Sequence, residues 1–278
     1  MKNVMSKGFI YVANQEKFLK EAIISAKSLK RFSNIPIAVI LTENLVGNDL
    51  EIFDDTIIVN ELQKYTYLSK IIGMQNTPYD KTIFLDSDTF ICSSIDNLFD
   101  LLYYFDFSTT IESKRHTTSK KDLLLKNILP EFNTGVIVYN NNDVMAKVFK
   151  DWFEKCNEWQ IKNDMPGFRE SILINCREVR FSILPSEFNL HGLKTMTLIY
   201  GEVKVIHERY GVGLNSLTPY CQSFNKMDKL AYNLNIITYK RLYIKYIGLI
   251  SYRLTPFNLI HKVKKLLGIK RYSKSTFF

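Results

Sequence analysis

The sequence contains no CxxC pair and no run of eighteen uninterrupted apolar residues. It has no GxGTR-like glycine-rich loop near its start, and no Asp or Glu anywhere in its last forty residues. Each absence narrows the function. Without a long apolar run nothing in the chain crosses a bilayer as a helix. The four cysteines, Cys92, Cys156, Cys176 and Cys221, lack metal-site spacing, which argues against structural zinc and for reduced thiols in a chain of intracellular character. The missing glycine-rich loop argues against a sugar-phosphate nucleotidyltransferase. There are no internal repeats and no low-complexity segment. The start of the sequence leads directly into the apolar run FIYVA, without the longer apolar region and small-residue cleavage site of a secretory signal, so the expected location is cytoplasmic.

The acid-free end is itself a feature. Residues 239–278 hold ten Lys or Arg, whereas residues 1–238 carry 27 against 28 acids, so the formal charge of +9 resides in the tail. An anionic partner is expected there. Apolar residues fill the gaps between the cations, and Leu259, Ile260, Val263, Leu266 and Leu267 fall at helical spacing after Pro256. A cationic amphipathic helix of this kind suits an anionic membrane surface. Packing on the protein's own body is the alternative. No nucleic-acid-binding pattern accompanies the charge, so no nucleic-acid partner is expected.

With 46% hydrophobic residues in 278, the rest of the chain can build a sizeable α/β core. Strands are predicted over 8–13, 35–41, 55–59, 81–85, 105–111, 132–139, 179–184 and 203–207. Helices are predicted over about 16–31, 66–75, from near Asp96, and near 142–160 and 167–175. Residues 113–127 and 190–202 read as loops. Strands alternating with helices imply a doubly wound sheet whose ligand lies at the C-terminal strand ends.

Asp86-Ser87-Asp88 follows immediately on the apolar strand KTIFL. Two carboxylates one residue apart at such a strand end can converge on one hard cation. That cation would act as a Lewis acid on a departing diphosphate. Equally, one Asp can cap a turn while the other is solvated. Haloacid-dehalogenase-type phosphatases also place Asp-x-Asp after a strand, but they continue with Thr where this chain has Phe90, and three strands precede the pair here.

Six segments read together resemble the GT-A-fold nucleotide-diphosphosugar transferases, especially bacterial relatives of glycosyltransferase family 8. They are YVANQEKFLKEAIISAKSLK (11–30), YDKTIFLDSDTFI (79–91), PEFNTGVIVYN (130–140), DMPGFRESIL (164–173), LPSEFN (184–189) and VKVIH (203–207). The resemblance spans about residues 7–210. It implies a GT-A catalytic domain over 1–210, a doubly wound mixed sheet, and the residue pattern adds a helical basic C-terminal extension over 211–278. It implies a hexosyl transfer from a nucleotide-diphosphate sugar, UDP- or GDP-linked with UDP the first expectation, to a saccharide or lipid-linked glycan, and the cationic tail is expected on the cytoplasmic face of the membrane.

Residue by residue, the resemblance implies that Asp86, Asp88 and His207 hold Mn²⁺ or Mg²⁺, the imidazole favouring Mn²⁺. Ala13, Asn14 and Gln15 would lie near the base and ribose, Lys70 would touch the diphosphate or ribose, and Ser87 would join the donor site. Asn133 in FNTG would read sugar hydroxyls, and Asp164 would be the catalytic carboxylate beside the donor sugar. Each has a plainer reading: His207 as a structural histidine, Lys70 as a solvated helix residue, Gly135 as a turn. Met165 stands where the family has Gln, which leaves the donor hydroxyl and the retaining mechanism open. The family's phosphate-gripping Lys after the His is not evident, and Arg209 would be the candidate to stand in for it. Glu187 reads as an acceptor-side base or as a structural carboxylate. A non-catalytic nucleotide-sugar or membrane-binding module is the remaining alternative.

Overall fold

The computed structural model describes residues 6–47, 49–64, 68–112, 129–160, 163–190 and 201–207. The strands are β1 (Lys7–Ala13), β2 (Ile37–Leu41), β3 (Asp55–Ile58), β4 (Lys81–Leu85), β5 (Thr89–Ile91), β6 (Phe107–Ile111), β7 (Phe132–Asn140), β8 (Phe181–Ile183) and β9 (Val205–His207). The helices are α1 (Glu16–Leu29), α2 (Ser69–Gln75), α3 (Asp143–Trp159) and α4 (Met165–Ile174). Seven strands form one sheet in the order β3-β2-β1-β4-β7-β6-β8, and β5 and β9 form a second small sheet.

In the large sheet, β1, β2, β3 and β4 run parallel, and β7 runs antiparallel to both β4 and β6. The doubly wound mixed sheet expected from the sequence is therefore present. Its central strands β2 and β4 are buried along their whole length, because helices cover both faces. Alternate residues of β1 feed opposite faces. Phe9 and Tyr11 pack with Leu19, Ala22 and Leu29 of α1, and Ile10 packs into the layer of α2, α3 and α4.

Local chemistry sets the helix ends. Glu16 in the first turn of α1 and Lys27 in its last complement the helix dipole. The Asn142 side chain accepts from Met145 N–H at the start of α3, a cap worth about 1 kcal/mol. Gln160 ends α3 in the left-handed conformation at φ 52°.

The differences from expectation have physical causes. The strand predicted over 55–59 is β3, at one edge of the sheet, with three of its four residues exposed. The helix near Asp96 is a 3-10 turn over Asp96–Tyr103. The three-residue β5 is too short to leave a periodic signal. Cys92 is disulfide-bonded, correcting the expectation of four reduced thiols, while Cys156 and Cys176 are free. Sequence spacing carries no information on which cysteines meet in space. The loop over 113–127, most of that over 190–202, Arg209, the boundary at residue 210 and the helical basic extension lie outside the described residues. Among the described residues no helix is long and apolar enough to cross a membrane.

The contact between α3 and α4 fixes one end of the site. Trp152 is fully buried, its ring 4.5 Å from that of Phe168, and its indole N–H donates to the Asp164 carbonyl at 2.8 Å. Trp152→Ala is expected to cost about 3–5 kcal/mol of stability, read as a lowered urea midpoint.

Candidate active site

The chain leaves β4 at Leu85 and turns sharply through Asp86, Ser87 and Asp88 into β5. Three backbone and hydroxyl bonds hold that turn. Asp86 N–H donates to the Gly135 carbonyl at 2.8 Å, and both Thr89 N–H and Thr89 Oγ1 donate to the Asp86 carbonyl. Behind Thr89 stands a buried hydroxyl relay, Tyr11 to Ser25 to Thr89, with both links 2.8 Å. Since the Asp86 carbonyl can only accept, Thr89 donates to it and each earlier hydroxyl donates forward. Burial pushes the Tyr11 phenol well above its ordinary range, so it remains a donor.

His207 arrives from more than a hundred residues away through strand pairing. In the register of β5 against β9, Thr89 lies opposite His207. The imidazole Nε2 is 3.2 Å from Asp88 Oδ1 and 3.5 Å from Asp86 Oδ2. One ligand atom from each of Asp86, Asp88 and His207 lies within 4.8 Å of the other two. Two carboxylates this close repel by about 3–4 kcal/mol at an effective dielectric near 20, which favours a cation between them.

The histidine registers that excess of negative charge. Burial alone would lower its pKa, but Asp88 and Asp86 outweigh burial and push it up to about 10. The same excess of negative charge could hold a divalent ion in place of the imidazolium proton. The oxygen, oxygen and nitrogen donors fit Mn²⁺.

A second cation meets the same cluster. Lys70, from the first turn of α2, is 2.8 Å from Asp164 Oδ2 and 3.8 Å from Asp86 Oδ2, and donates to Thr134 Oγ1 at 2.8 Å. Burial opposes its charge, but Asp164 and Asp86 more than compensate and hold the ammonium above its ordinary range. The solvated-helix reading of Lys70 is therefore set aside. Asp164 sits at the entry to α4, with its backbone fixed by Trp152 and by Phe168 N–H.

Gly135 has a steric role that the sequence did not reveal. A Cβ there would lie 2.0 Å from His207 Cε1 and 2.3 Å from Nδ1, so the imidazole packs directly on the glycine. The turn reading of the FNTG glycine leaves this contact out. The glycine makes room for the histidine.

The other expected residues are placed as follows. Ala13, Asn14 and Gln15 form the turn between β1 and α1, at the C-terminal end of the strand beside β4. The Ser87 hydroxyl donates to Glu21 Oε2 on α1 at 3.1 Å. Asn133 reaches the site, but both ends of its amide are engaged: Nδ2 donates to Glu112, and Oδ1 accepts from Gly135 N–H and from Asn189. A sugar contact through the amide carbonyl would replace one of its two bonds. Glu187 is buried and accepts from Gly201 N–H at 2.6 Å, tying residue 201 to the turn at Ser186–Phe188. Asn189 escaped the sequence reading, and LPSEFN was its only signal.

No protein-family model matches the sequence, and no curated protein matches it either. Solved structures do. The galactosyltransferase LgtC, in complex with donor and acceptor sugar analogues, aligns with a TM-score of 0.52 at 16% identity, over 81% of this chain and 98% of that one. An active-site mutant of LgtC aligns at 0.54 and 15%, over 81% and 99%. The fold is GT-A. The glycosyltransferase GlyE of Streptococcus pneumoniae TIGR4 shares it at a TM-score of 0.52 and 14% identity, over 87% of this chain, which spans 64% of GlyE. The GT-A fold places the Asp86–Asp88 turn at the strand ends where such sheets bind ligands.

Two predictions follow from the geometry. Gly135→Ala forces the His207 ring to move, and Mn²⁺ affinity measured by calorimetry is expected to fall about 10-fold or more. The second concerns pH. Because the folded pKa of His207 is raised above the ordinary 6.5, its contribution to stability is full below pH 6.5 and lost as pH climbs through about 10. Metal-free protein should lose thermal stability between pH 7 and 10 by an amount that His207→Gln abolishes. Mn²⁺ affinity should move the other way and rise with pH, since the metal takes the neutral imidazole.

Proposed function

We propose that the protein is a metal-dependent glycosyltransferase that takes a hexose from a nucleotide-diphosphate donor, a UDP-sugar, and passes it to a saccharide or lipid-linked glycan. The observation that supports this reading is the meeting of Asp86, Asp88 and His207 with Lys70 and Asp164 at the strand ends of a GT-A sheet. The LgtC structure with donor and acceptor sugar analogues lends the substrate classes.

Asp86, Asp88 and His207 would hold Mn²⁺, which supplies Lewis-acid neutralisation of the charge that develops on the departing nucleoside diphosphate. Ala13, Asn14 and Gln15, at the end of β1, present a turn to the nucleoside. Lys70 stands between the metal ligand Asp86 and the carboxylate of Asp164, where its ammonium can move from the protein's acids to a donor phosphate. Asp164, freed of part of that ion pair, then faces the donor sugar with its carboxylate. Met165 beside it offers no amide to the sugar, so donor selection at that point rests on shape and on Asp164.

The test is turnover of nucleotide sugars with and without Mn²⁺. Slow Mn²⁺-dependent hydrolysis of a UDP-sugar is expected, and Asp88→Asn should reduce it about 100-fold, the equivalent of about 3 kcal/mol of leaving-group stabilisation. Binding of UDP with no turnover of any donor would leave a non-catalytic binding module instead. Release of inorganic phosphate from simple phosphomonoesters would favour a phosphatase.

The basic segment 239–278 supplies, in this reading, a peripheral contact with the anionic cytoplasmic face of a membrane, beside a lipid-linked acceptor. Each cation near such a surface contributes about 1 kcal/mol before screening. The full chain is expected to co-sediment with anionic liposomes at low salt. Equal sedimentation by a chain truncated after residue 238 would refute the role of the segment.

A further inference from the structure

The metal-ligand histidine is the end of a buried chain of side-chain amides, and the direction of every bond in that chain can be deduced. The deduction starts from a group whose role is fixed. Gly135 N–H is a backbone donor, and it points at one end of the Asn133 amide at 2.9 Å, so that end is the carbonyl Oδ1. The other end is then the NH₂ group, which suits its partner, the Glu112 carboxylate at 2.7 Å. Asn189 meets the Asn133 carbonyl at 2.7 Å and must therefore present its own NH₂ group, which also donates to Thr110 Oγ1 at 3.1 Å. Its remaining end, the carbonyl Oδ1, lies 2.9 Å from His207 Nδ1. Nδ1 therefore carries a hydrogen. In the neutral ring the lone pair is left on Nε2, the nitrogen that faces Asp86 and Asp88.

We propose that Asn189 is a positioning residue for the metal site: through its side-chain carbonyl it fixes the His207 ring and its tautomer, and Asn133 and Glu112 fix Asn189 in turn. The proposal rests on the metal site proposed above and adds to it the residue that makes that site directional. Asn189 and Asn133 are both almost fully buried, so their amides find partners within the protein and not in water. The His207 ring is clamped from two sides. Gly135 supports its face, and Asn189 holds the nitrogen remote from the metal ligands. Partners on the outer nitrogen of a metal-binding histidine orient the ring and raise its basicity, and their loss costs on the order of 10- to 100-fold in metal affinity.

The experiment is a titration of the purified full chain with Mn²⁺, following free Mn²⁺ by electron paramagnetic resonance, with melting temperature recorded for every variant. Asn189→Leu removes both hydrogen-bonding ends at similar volume, and Asn189→Ala serves if the leucine variant does not fold. Whichever folds is expected to bind Mn²⁺ at least fivefold more weakly than the parent. Asn189→Asp keeps an acceptor facing Nδ1 but loses the donor to Asn133 and Thr110. It is expected to melt at a lower temperature while binding Mn²⁺ within fivefold of the parent, or more tightly. A loss below fivefold in the leucine or alanine variant overturns the proposal. So does an equal loss in the aspartate variant, since affinity would then follow packing and not the acceptor. A parent that binds no Mn²⁺ overturns the metal site and this proposal together, whereas a parent that binds while the variants bind equally overturns this proposal alone.

Discussion

Three carboxylates held in a small, poorly solvated volume are the constraint from which the rest of the site follows. Asp86 lies within reach of both Lys70 and His207, while Asp164 pairs with Lys70 and Asp88 with His207. Like charges at such distances repel by several kcal/mol in total, and the protein alone offsets that repulsion only by charging both the amine and the imidazole. In the function proposed above, a divalent ion held by Asp86 and Asp88 and a diphosphate held by Lys70 would rearrange the same balance. Donor and metal are therefore expected to bind in mutual dependence, each supplying the charge the other leaves uncompensated.

Holding such a cluster requires a stiff surround, and the fold supplies it by backbone means. The Asp86 turn is fixed by the Gly135 carbonyl on one side and by Thr89 on the other, with the Tyr11 and Ser25 hydroxyls behind it. The Asp164 backbone is bonded to Trp152, at the centre of the second hydrophobic layer. His207 is seated by the β5–β9 pairing, by the bare face of Gly135 and by the Asn189 amide. The main chain at Asp86, Asp164 and His207 is thus bonded independently of those side chains.

The antiparallel strand β7 has a particular part in this. Because it runs against β4, its beginning, not its end, lies beside the end of β4, and Asn133, Thr134 and Gly135 come up next to Asp86. A parallel strand in that slot would have put its last residues there. The residues of FNTG therefore enter the site as neighbours of the metal turn. Thr134 accepts from Lys70, Gly135 accommodates the imidazole, and Asn133 joins the amide chain.

Much of the layout was legible in the residues. KTIFL and IAVIL are buried on both faces, and such strands are written as unbroken apolar runs; the α1 and α3 stripes have helical period because one face of each is covered. Acid–x–acid after KTIFL pointed to a cation site for a chemical reason that holds in any fold. Other features could not be read from local pattern. The edge position of β3, the existence of β5 and the pairing that brings His207 to Asp88 depend on contacts between residues far apart in the chain. The bond of Glu187 to a backbone N–H fourteen residues away, and the engagement of the Asn133 amide by Glu112 and Asn189, are likewise contacts between distant segments. The sequence alone determined which groups are present and which strands lie inside, because burial and periodicity are local consequences of composition. Only the tertiary structure decided which groups meet and which ends of them are free, because hydrogen bonds and ion pairs are set by distances of a few ångströms between segments that the order of residues does not relate.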